Sequence, residues 1–236
     1  MSTASHFQPS VSVVIPSYNY AAYLGDAIDS VLRQGHKPLE LIVVDDGSTD
    51  STEQVVSAYS SVAYHKQENG GASLARNAGV STARGKLIAF LDADDIWMPY
   101  KLSKQIELLR LQPELDMIFG HVDEFYTPEL PVPQSPTELR KNYPGYSACT
   151  MLIKATSFDK VGGFSTTMRV GEFIDWLFRA QDCGLKSGMV NEIVLKRRIH
   201  RNNSSRQLNC DRSEYLWVLK ASIDRRRADL VASQQS

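Results

Sequence analysis

The sequence has few cysteines, no long apolar run and no excess of charge of one sign. Its three cysteines, Cys149, Cys183 and Cys210, stand far apart with no CxxC pair. This spacing fits neither a disulfide framework nor a zinc cluster, so all three are predicted to be reduced thiols. No apolar stretch approaches the roughly 20 residues that a membrane helix needs. With 26 basic and 27 acidic residues, the chain has no overall basic field for a nucleic acid, and no such partner is expected.

The first ten residues lack the basic and apolar regions of a secretory signal. We therefore expect a cytoplasmic protein. Hydrophobic residues make up 42% of the 236 residues and charged residues 22%, which is typical of a globular chain and not of a disordered one. This length is sufficient for one sizeable hydrophobic core.

Short β-branched runs alternate with helical patterns over the first hundred residues. Strands are predicted at 11–16, 39–44, 62–65 and 87–91, and helices at 23–34, 50–60 and 72–82. The order βαβαβαβ predicts an α/β fold, a mostly parallel central sheet flanked by helices.

The second half has a less regular pattern. Helices are predicted at 99–111, 172–183 and 212–232, and strands at 116–121, 148–153 and 189–199. Residues 127–136 hold four prolines, which exclude a helix or an interior strand. We expect a surface loop there that becomes ordered when substrate binds.

One apolar strand ends directly in carboxylates. Asp92 and Asp94 lie two residues apart, so in an extended chain their side chains point to the same side. Ligands bind at the carboxyl ends of strands in open α/β sheets, and paired hard oxygen ligands suit Mg²⁺ or Mn²⁺ bridging a diphosphate. The alternative is an acidic turn that caps the next helix.

A second pair of carboxylates, Asp45 and Asp46, ends another apolar strand at the same predicted edge. The residues after it, Ser48, Thr49 and Asp50, are typical of a turn and a helix N-cap. The two aspartates precede that cap. A carboxylate in this place can accept hydrogen bonds from a base or from ribose hydroxyls.

A double glycine, Gly70 and Gly71, opens the third predicted helix. Glycine lets the backbone approach a ligand closely. Arg76, on the first turns of this helix, would meet an anionic or carbonyl partner in the crevice. An arginine extended along the helix surface is the alternative.

Four motifs in this order resemble family 2 glycosyltransferases with the GT-A fold. They are Val-Val-Ile-Pro-Ser-Tyr-Asn at 13–19, Val-Val-Asp-Asp-Gly-Ser-Thr-Asp at 43–50, Gly70-Gly71 with Ala-Arg-Asn-Ala-Gly at 75–79, and Asp-Ala-Asp-Asp at 92–95. The resemblance covers about the first hundred residues. It implies an inverting transferase that uses a nucleotide diphosphate sugar and a divalent cation, Mn²⁺ or Mg²⁺.

The resemblance also assigns the nucleotide site by position. Pro16 and Tyr18 would frame the base, which Asp46 would bind with Asp45 as its neighbour. The rest of the nucleotide and sugar pocket would be formed by Gly70, Arg76, Asp92 and Ala93.

The metal site is assigned in the same way, to Asp94 and His200. His200 follows the predicted strand 189–199, where many members of the family supply a histidine to the metal or the diphosphate. The alternative is a surface histidine in the basic stretch 196–201. The three arginines of that stretch are candidates for holding the leaving diphosphate, or are simply solvated cations.

The chain departs from the family at the expected catalytic base. Relatives commonly carry Glu-Asp at the start of the helix predicted at 172–183, with the aspartate as base, but Phe173 stands in that place here. Glu172 and Asp175 remain, three residues apart on one helix face. We favour Glu172, because the backbone amides at a helix start keep a carboxylate ionised. Asp175 would orient the acceptor or form a structural salt bridge.

Two features outside the motifs each have two interpretations. Trp97 follows the acidic motif and is either a platform for a sugar ring or a core residue. The basic triplet 225–227 lies on an amphipathic helix and forms either a weak contact with an anionic membrane surface or a plain solvated face.

The sequence thus predicts a single GT-A domain over residues 1–236. Its nucleotide-sugar half covers 9–125, its acceptor half 126–205 and a C-terminal helix 206–236. The predicted function is metal-dependent inverting transfer from a UDP-linked sugar to a glycan, lipid-linked, peptide or small-molecule acceptor. The alternatives are a catalytically silent nucleotide-sugar binding module and a sugar nucleotidyltransferase. The latter would need a glycine-rich basic loop where Pro-Ser-Tyr-Asn stands at 16–19.

Overall fold

The computed structural model describes residues 9–38, 40–127, 139–168, 171–200, 203 and 220–227. The strands are β1 (Val11–Ser17), β2 (Glu40–Asp45), β3 (Val62–Lys66), β4 (Leu87–Phe90), β5 (Ile96–Trp97), β6 (Met117–Tyr126), β7 (Tyr143–Gly145), β8 (Leu152–Lys154) and β9 (Ser187–Ile199). The α-helices are α1 (Ala21–Leu32), α2 (Thr52–Ser57), α3 (Ala72–Thr82), α4 (Lys101–Leu111), α5 (Ala155–Val161) and α6 (Glu172–Asp182). A 3₁₀ turn covers Ala148–Thr150, and residues 220–227 are helical.

The strands form one sheet in the order β3-β2-β1-β4-β8-β6-β9-β5, with β7 paired to β6. The strands of the first half, β1 to β4, pair in parallel, as the βαβ order predicts. The other side of the sheet is mixed: β8 is antiparallel to both β4 and β6, and β9 is parallel to β6. The predicted α/β sheet is confirmed, but it is parallel throughout only in its first half.

Helices cover both faces of this sheet and enclose two hydrophobic clusters. In β1, Val13 and Ile15 pack on the face that holds α1 and α4, whereas Val14 packs on the face that holds α3, α5 and α6. All seven residues of β1 are buried. Successive side chains of a strand point to opposite faces, so a strand buried on both faces is apolar almost throughout.

Several predictions of local structure need correction or lie outside the described residues. The short elements β5, β7 and α5 were not predicted, because two to seven residues are too few to show a period. Of the proline-rich stretch, only Thr127 is described, and of the predicted helix 212–232, only 220–227. Among the helices described, none is both long and apolar enough to cross a membrane.

Candidate active site

A cleft with a volume of about 1190 Å³ lies where β1, β2 and β4 end. Nine of the twelve predicted site residues line it, namely Pro16, Tyr18, Asp46, Gly70, Arg76, Asp92, Ala93, Asp94 and Glu172. The other three, Asp45, Asp175 and His200, are buried outside its lining. The carboxyl ends of parallel strands meet at one sheet edge, which is why motifs far apart in the chain meet there.

Asp46 shapes one end of the cleft by holding the double glycine. Its Oδ1 accepts a hydrogen bond from the Gly70 amide at 2.9 Å, and its Oδ2 accepts one from the Gly71 amide at 2.7 Å. Gly71 has a φ of 90°, a conformation that favours glycine. Gln67 Nε2 donates to the same carboxylate at 2.7 Å. The contact between Asp46 and a base stays a prediction, whereas the hydrogen bonds of Asp46 to the glycine loop are present in the structure.

Asp45 turns away from the cleft. Its Oδ1 accepts from the Ser48 amide at 2.7 Å and its Oδ2 from the Tyr64 hydroxyl at 2.6 Å. Burial by itself would raise the pKa of Asp45, but the hydrogen bonds from Ser48 and Tyr64 and the charge of Lys66 lower it overall. Asp45 therefore stabilises the turn after β2, and its role at the nucleotide stays a prediction.

Arg76 lies between two carboxylates of the cleft, those of Asp92 and Glu172. Its Nη2 donates to Asp92 at 2.7 Å and its Nη1 to Glu172 at 3.2 Å. Only 6% of its surface is exposed, so it does not extend along the helix surface. Burial alone would lower the pKa of Arg76, but the charge of Asp92, and then that of Glu172, raises it overall. The guanidinium is therefore a fixed cation shared by two carboxylates.

Carboxylates crowd together below Arg76. Ligand atoms of Asp92, Asp95 and Cys149 all lie within 4.8 Å of one another. Burial and the charges of Asp94 and Asp92 raise the pKa of Asp95 well above its usual range. Burial, followed by the charges of the two aspartates, also raises the pKa of Cys149, so this thiol stays protonated and is a poor ligand. Hard carboxylate oxygens that repel one another fit Mg²⁺ or Mn²⁺, which would relieve that repulsion.

Asp94 is held by two residues that follow β9 in the chain. His200 Nε2 lies 3.0 Å from Asp94 Oδ2, and Asn203 Nδ2 donates to the same oxygen at 3.2 Å. Asn203 Oδ1 in turn accepts from the His200 amide at 2.6 Å. His200 thus contacts Asp94, the other residue assigned to the metal, but it does not itself line the cleft. Its role as a metal ligand stays a prediction.

The two candidate bases have different surroundings. Glu172 is the first residue of α6 and lines the cleft. Asp175 is buried, and its carboxylate accepts from Arg179 at 2.9 Å and from Arg225 at 3.4 Å. This is the structural salt bridge that the sequence offered as the alternative for Asp175.

Trp97 does not face the cleft. It is 2% exposed, and its indole Nε1 donates to the Cys149 carbonyl at 2.9 Å. Of the two interpretations offered for Trp97, the structure supports the core residue and not the sugar platform. Trp97 pairs with Leu195 in the β5–β9 ladder, and this pairing directs the indole into the core.

Some cleft residues were missed by the sequence analysis. Asn69 donates to the Asp46 carbonyl at 3.0 Å, and residues 166–168 and Asn203 also line the cleft. Asn69 directly precedes the double glycine, and this position next to a predicted ligand loop could have identified it as a cleft residue. Residues 166–168 follow a Gly-Gly-Phe turn without any period, so nothing local indicated them.

Comparisons with known proteins agree with this geometry. The family model described as Glycosyl transferase family 2 matches residues 12–171. An uncharacterized glycosyltransferase of Rickettsia typhi is 31% identical over 232 residues, which cover 89% of this chain and 71% of that protein. One from Nostoc sp. is 43% identical over 122 residues, or 47% of this chain and 38% of the relative.

The fold also matches solved structures. The S. aureus TarS 1–349 structure in complex with UDP-GlcNAc has a TM-score of 0.71 and 20% identity, and the match covers 90% of this chain and 65% of that chain. The complex of the same protein with UDP has a TM-score of 0.65, 22% identity and coverage of 80% and 60%. At these identities the likeness concerns the fold. The family match, the relatives and the shared architecture together show that this chain belongs to glycosyltransferase family 2 and has the predicted GT-A fold.

Proposed function

We propose that this chain transfers a sugar from a UDP-linked donor to an acceptor hydroxyl, with inversion and with the help of a divalent cation. The observation that carries the proposal is the single cleft in which Asp46, the Asp92–Asp95 carboxylates and Glu172 meet around Arg76. The UDP donor is supported by the TarS structures of similar fold, which hold UDP and UDP-GlcNAc.

In this proposal the first half of the chain binds the nucleotide. Tyr18, which is 47% exposed at the cleft, and Pro16 frame the base, while Asp46 holds the glycine loop beneath it. Asp92, oriented by Arg76, faces the ribose or the sugar. A divalent cation held by Asp94 would neutralise charge on the leaving diphosphate.

The second half supplies the base. Glu172 takes the proton of the acceptor hydroxyl while that oxygen forms a bond to the anomeric carbon. The bond from that carbon to the diphosphate oxygen breaks on the opposite face, and the nucleoside diphosphate leaves with its electron pair. Arg76 fixes Glu172 toward the cleft, so the base and the donor site are linked by one side chain.

Two measurements test this proposal. Calorimetric titration of UDP should show tight binding with Mn²⁺ and weak binding with EDTA, because the diphosphate and the aspartates repel without a cation. Asp94→Ala should remove this metal dependence, while Asp29→Asn, an exposed control in α1, should keep it. Equal UDP affinity with Mn²⁺ and with EDTA in the unmodified protein would refute the metal assignment.

The second measurement separates a transferase from a silent binding module. We expect UDP to be released from at least one member of a panel of UDP-sugars, with water as the acceptor. Normal UDP binding without any release from the panel, even with glycan and small-molecule acceptors added, would favour the binding module.

A further inference from the structure

The basic stretch 196–201 contains arginines of different kinds. Alternation along β9 places Arg197 and Arg198 on opposite faces of the strand. Arg198 is buried and already engaged, since it donates to Asp26 at 2.7 Å and to the Asp94 carbonyl at 2.9 Å. Arg201 lies outside the described residues. Arg197 is the arginine of this stretch that lines the cleft.

Arg197 is held in place from the neighbouring strand. It pairs directly with Glu124 in the β6–β9 ladder, and its Nη1 donates to Glu124 Oε1 at 3.1 Å. The Tyr143 hydroxyl donates to the same oxygen at 3.2 Å, and Glu124 Oε2 accepts from the Arg140 amide at 2.9 Å. Glu124 is thus a buried, well-anchored support, and the guanidinium, with 35% of its side chain exposed, extends from it to the cleft.

Arg197 is a cation in a cleft that is lined mainly by carboxylates. Five carboxylates line it within the described residues, those of Asp46, Asp92, Asp94, Asp95 and Glu172, against two cations, Arg76 and Arg197. Arg76 is neutralised by the two carboxylates that it bridges. A diphosphate that enters this cleft therefore needs more positive charge than Arg76 supplies.

Arg197 is also electrostatically close to the acidic motif. Burial alone would lower the pKa of Arg197, but electrostatic interactions with Tyr143, Asp95 and Glu124 raise it overall. Burial alone would raise the pKa of Asp92, but the charge of Arg76 and, to a smaller extent, that of Arg197 lower it overall. Arg197 therefore lines the same cleft as the aspartates expected to face the metal and the diphosphate, and their charges influence one another.

We propose that Arg197 binds the diphosphate of the nucleotide and stabilises the negative charge that develops on it as it leaves. This inference rests on the proposed function. Guanidinium groups form charge-assisted, often bidentate hydrogen bonds with phosphate oxygens, and a preorganised cation at a developing charge lowers the barrier. Glu124 and Tyr143 act as positioning residues for Arg197. The competing interpretation is an ion pair that only joins β6 to β9.

The test compares UDP with uridine, which carries the same base and ribose but no diphosphate. Titrations in the presence of Mg²⁺, which is diamagnetic, are followed by calorimetry for UDP and by NMR of the ligand for uridine. In Arg197→Gln we expect UDP affinity to fall about 10-fold or more, as for loss of a hydrogen bond to a charged group, and uridine affinity to stay within about twofold. Arg110→Gln, which loses an exposed ion pair to Glu107 on α4, should change neither.

Arg197→Gln leaves Glu124 buried without its partner, which can destabilise the fold. The double variant Arg197→Gln/Glu124→Gln removes both charges and should show the same selective loss of UDP affinity. Unchanged UDP affinity in both variants, or an equal loss for UDP and uridine, would overturn the role of Arg197. If the unmodified protein binds neither UDP nor uridine, the proposed function itself fails. If the unmodified protein binds both and the variants keep the same ratio of UDP affinity to uridine affinity, only the role of Arg197 fails.

Discussion

At the scale of single residues, Arg76 connects the two halves of the cleft. It belongs to α3, and it reaches Asp92 after β4 and Glu172 at the start of α6. A shared guanidinium fixes the distance between the two carboxylates. The position of the proposed base is therefore set by a residue of α3.

The assignment of the base leads to a residue-level prediction. Glu172→Gln should keep UDP and Mn²⁺ binding but slow UDP release from a UDP-sugar by about 10²–10⁴-fold, because a glutamine cannot accept the proton. Asp175→Asn is the matched comparison and should slow release less, since Asp175 is enclosed by Arg179 and Arg225. Near-normal release in the Glu172 variant together with a large loss in Asp175→Asn would assign the role to Asp175.

At the scale of elements, α6 is anchored through the loop that precedes it. Arg179 donates to the carbonyls of Val161 and Gly163, at 2.9 and 2.8 Å, and Trp176 donates to the Gly162 carbonyl at 2.8 Å. These three bonds satisfy consecutive backbone acceptors near the end of α5. The orientation of α6, and with it the position of Glu172, depends on this loop.

A glycine in that loop tests its packing. A Cβ on Gly163 would lie 2.7 Å from Asn77 Oδ1, and Asn77 holds both backbone groups of Phe164 at 2.8 Å. Gly163→Ala should lower the free energy of unfolding by about 1–3 kcal/mol, as overpacking usually does, in urea denaturation.

Gly25→Ala is the control for that substitution. Gly25 lies inside α1, and the nearest atom to an added Cβ is Tyr59 Oη at 3.5 Å, an ordinary contact. This change should raise stability by about 0.5–1 kcal/mol, because alanine has less freedom to lose in a helix. If the two alanine variants had similar stability, the close contact at Gly163 would not be a constraint.

At the scale of the whole molecule, the sheet and α4 enclose a lysine whose hydrogen bonds, within the described residues, go to an amide oxygen and a backbone carbonyl. Lys101 is fully buried, its Nζ lies 4.2 Å from the centre of the Trp97 ring, and it donates to Gln105 at 2.7 Å. Burial lowers the pKa of Lys101 to about 7. The folded protein therefore favours the neutral amine above this pH.

This burial predicts a pH dependence of stability. Between pH 7 and the unfolded pKa of 10.5, the unfolded chain holds a proton on Lys101 that the folded protein has released, so stability rises with pH. The free energy of unfolding of the unmodified protein, relative to Lys101→Met, should rise by on the order of 2 kcal/mol from pH 7 to pH 9. Urea denaturation at both pH values measures this difference. Parallel pH curves for the two proteins would mean that Lys101 keeps its proton.

The sequence by itself determined the strands and helices of the first half of the chain. Helix 72–82 agrees with α3 at both ends, and the other first-half strands and helices agree within a few residues. Apolar runs that end in carboxylates are local signals, and parallel strands bring their carboxyl ends to one edge for any sequence with this order. This is why Asp46, Asp92 and Asp94 line the cleft as predicted.

Tertiary structure alone decided which of the other candidates reach the cleft. Arg76 contacts Glu172, 96 residues away in the sequence, and His200 contacts Asp94, 106 residues away. A local sequence pattern cannot predict contacts over such separations. Trp97 and Asp45 belong to the same kinds of motif as the cleft residues. Their hydrogen bonds, to Cys149 in the 3₁₀ turn and from Tyr64 in β3, hold them away from the cleft. Strand alternation separates Arg197 from Arg198, but only the pairing of β9 with β6 shows which of the two faces the cleft. Packing against distant elements decides which side chains at the same sheet edge face the cleft, and the sequence of a single segment does not contain this information.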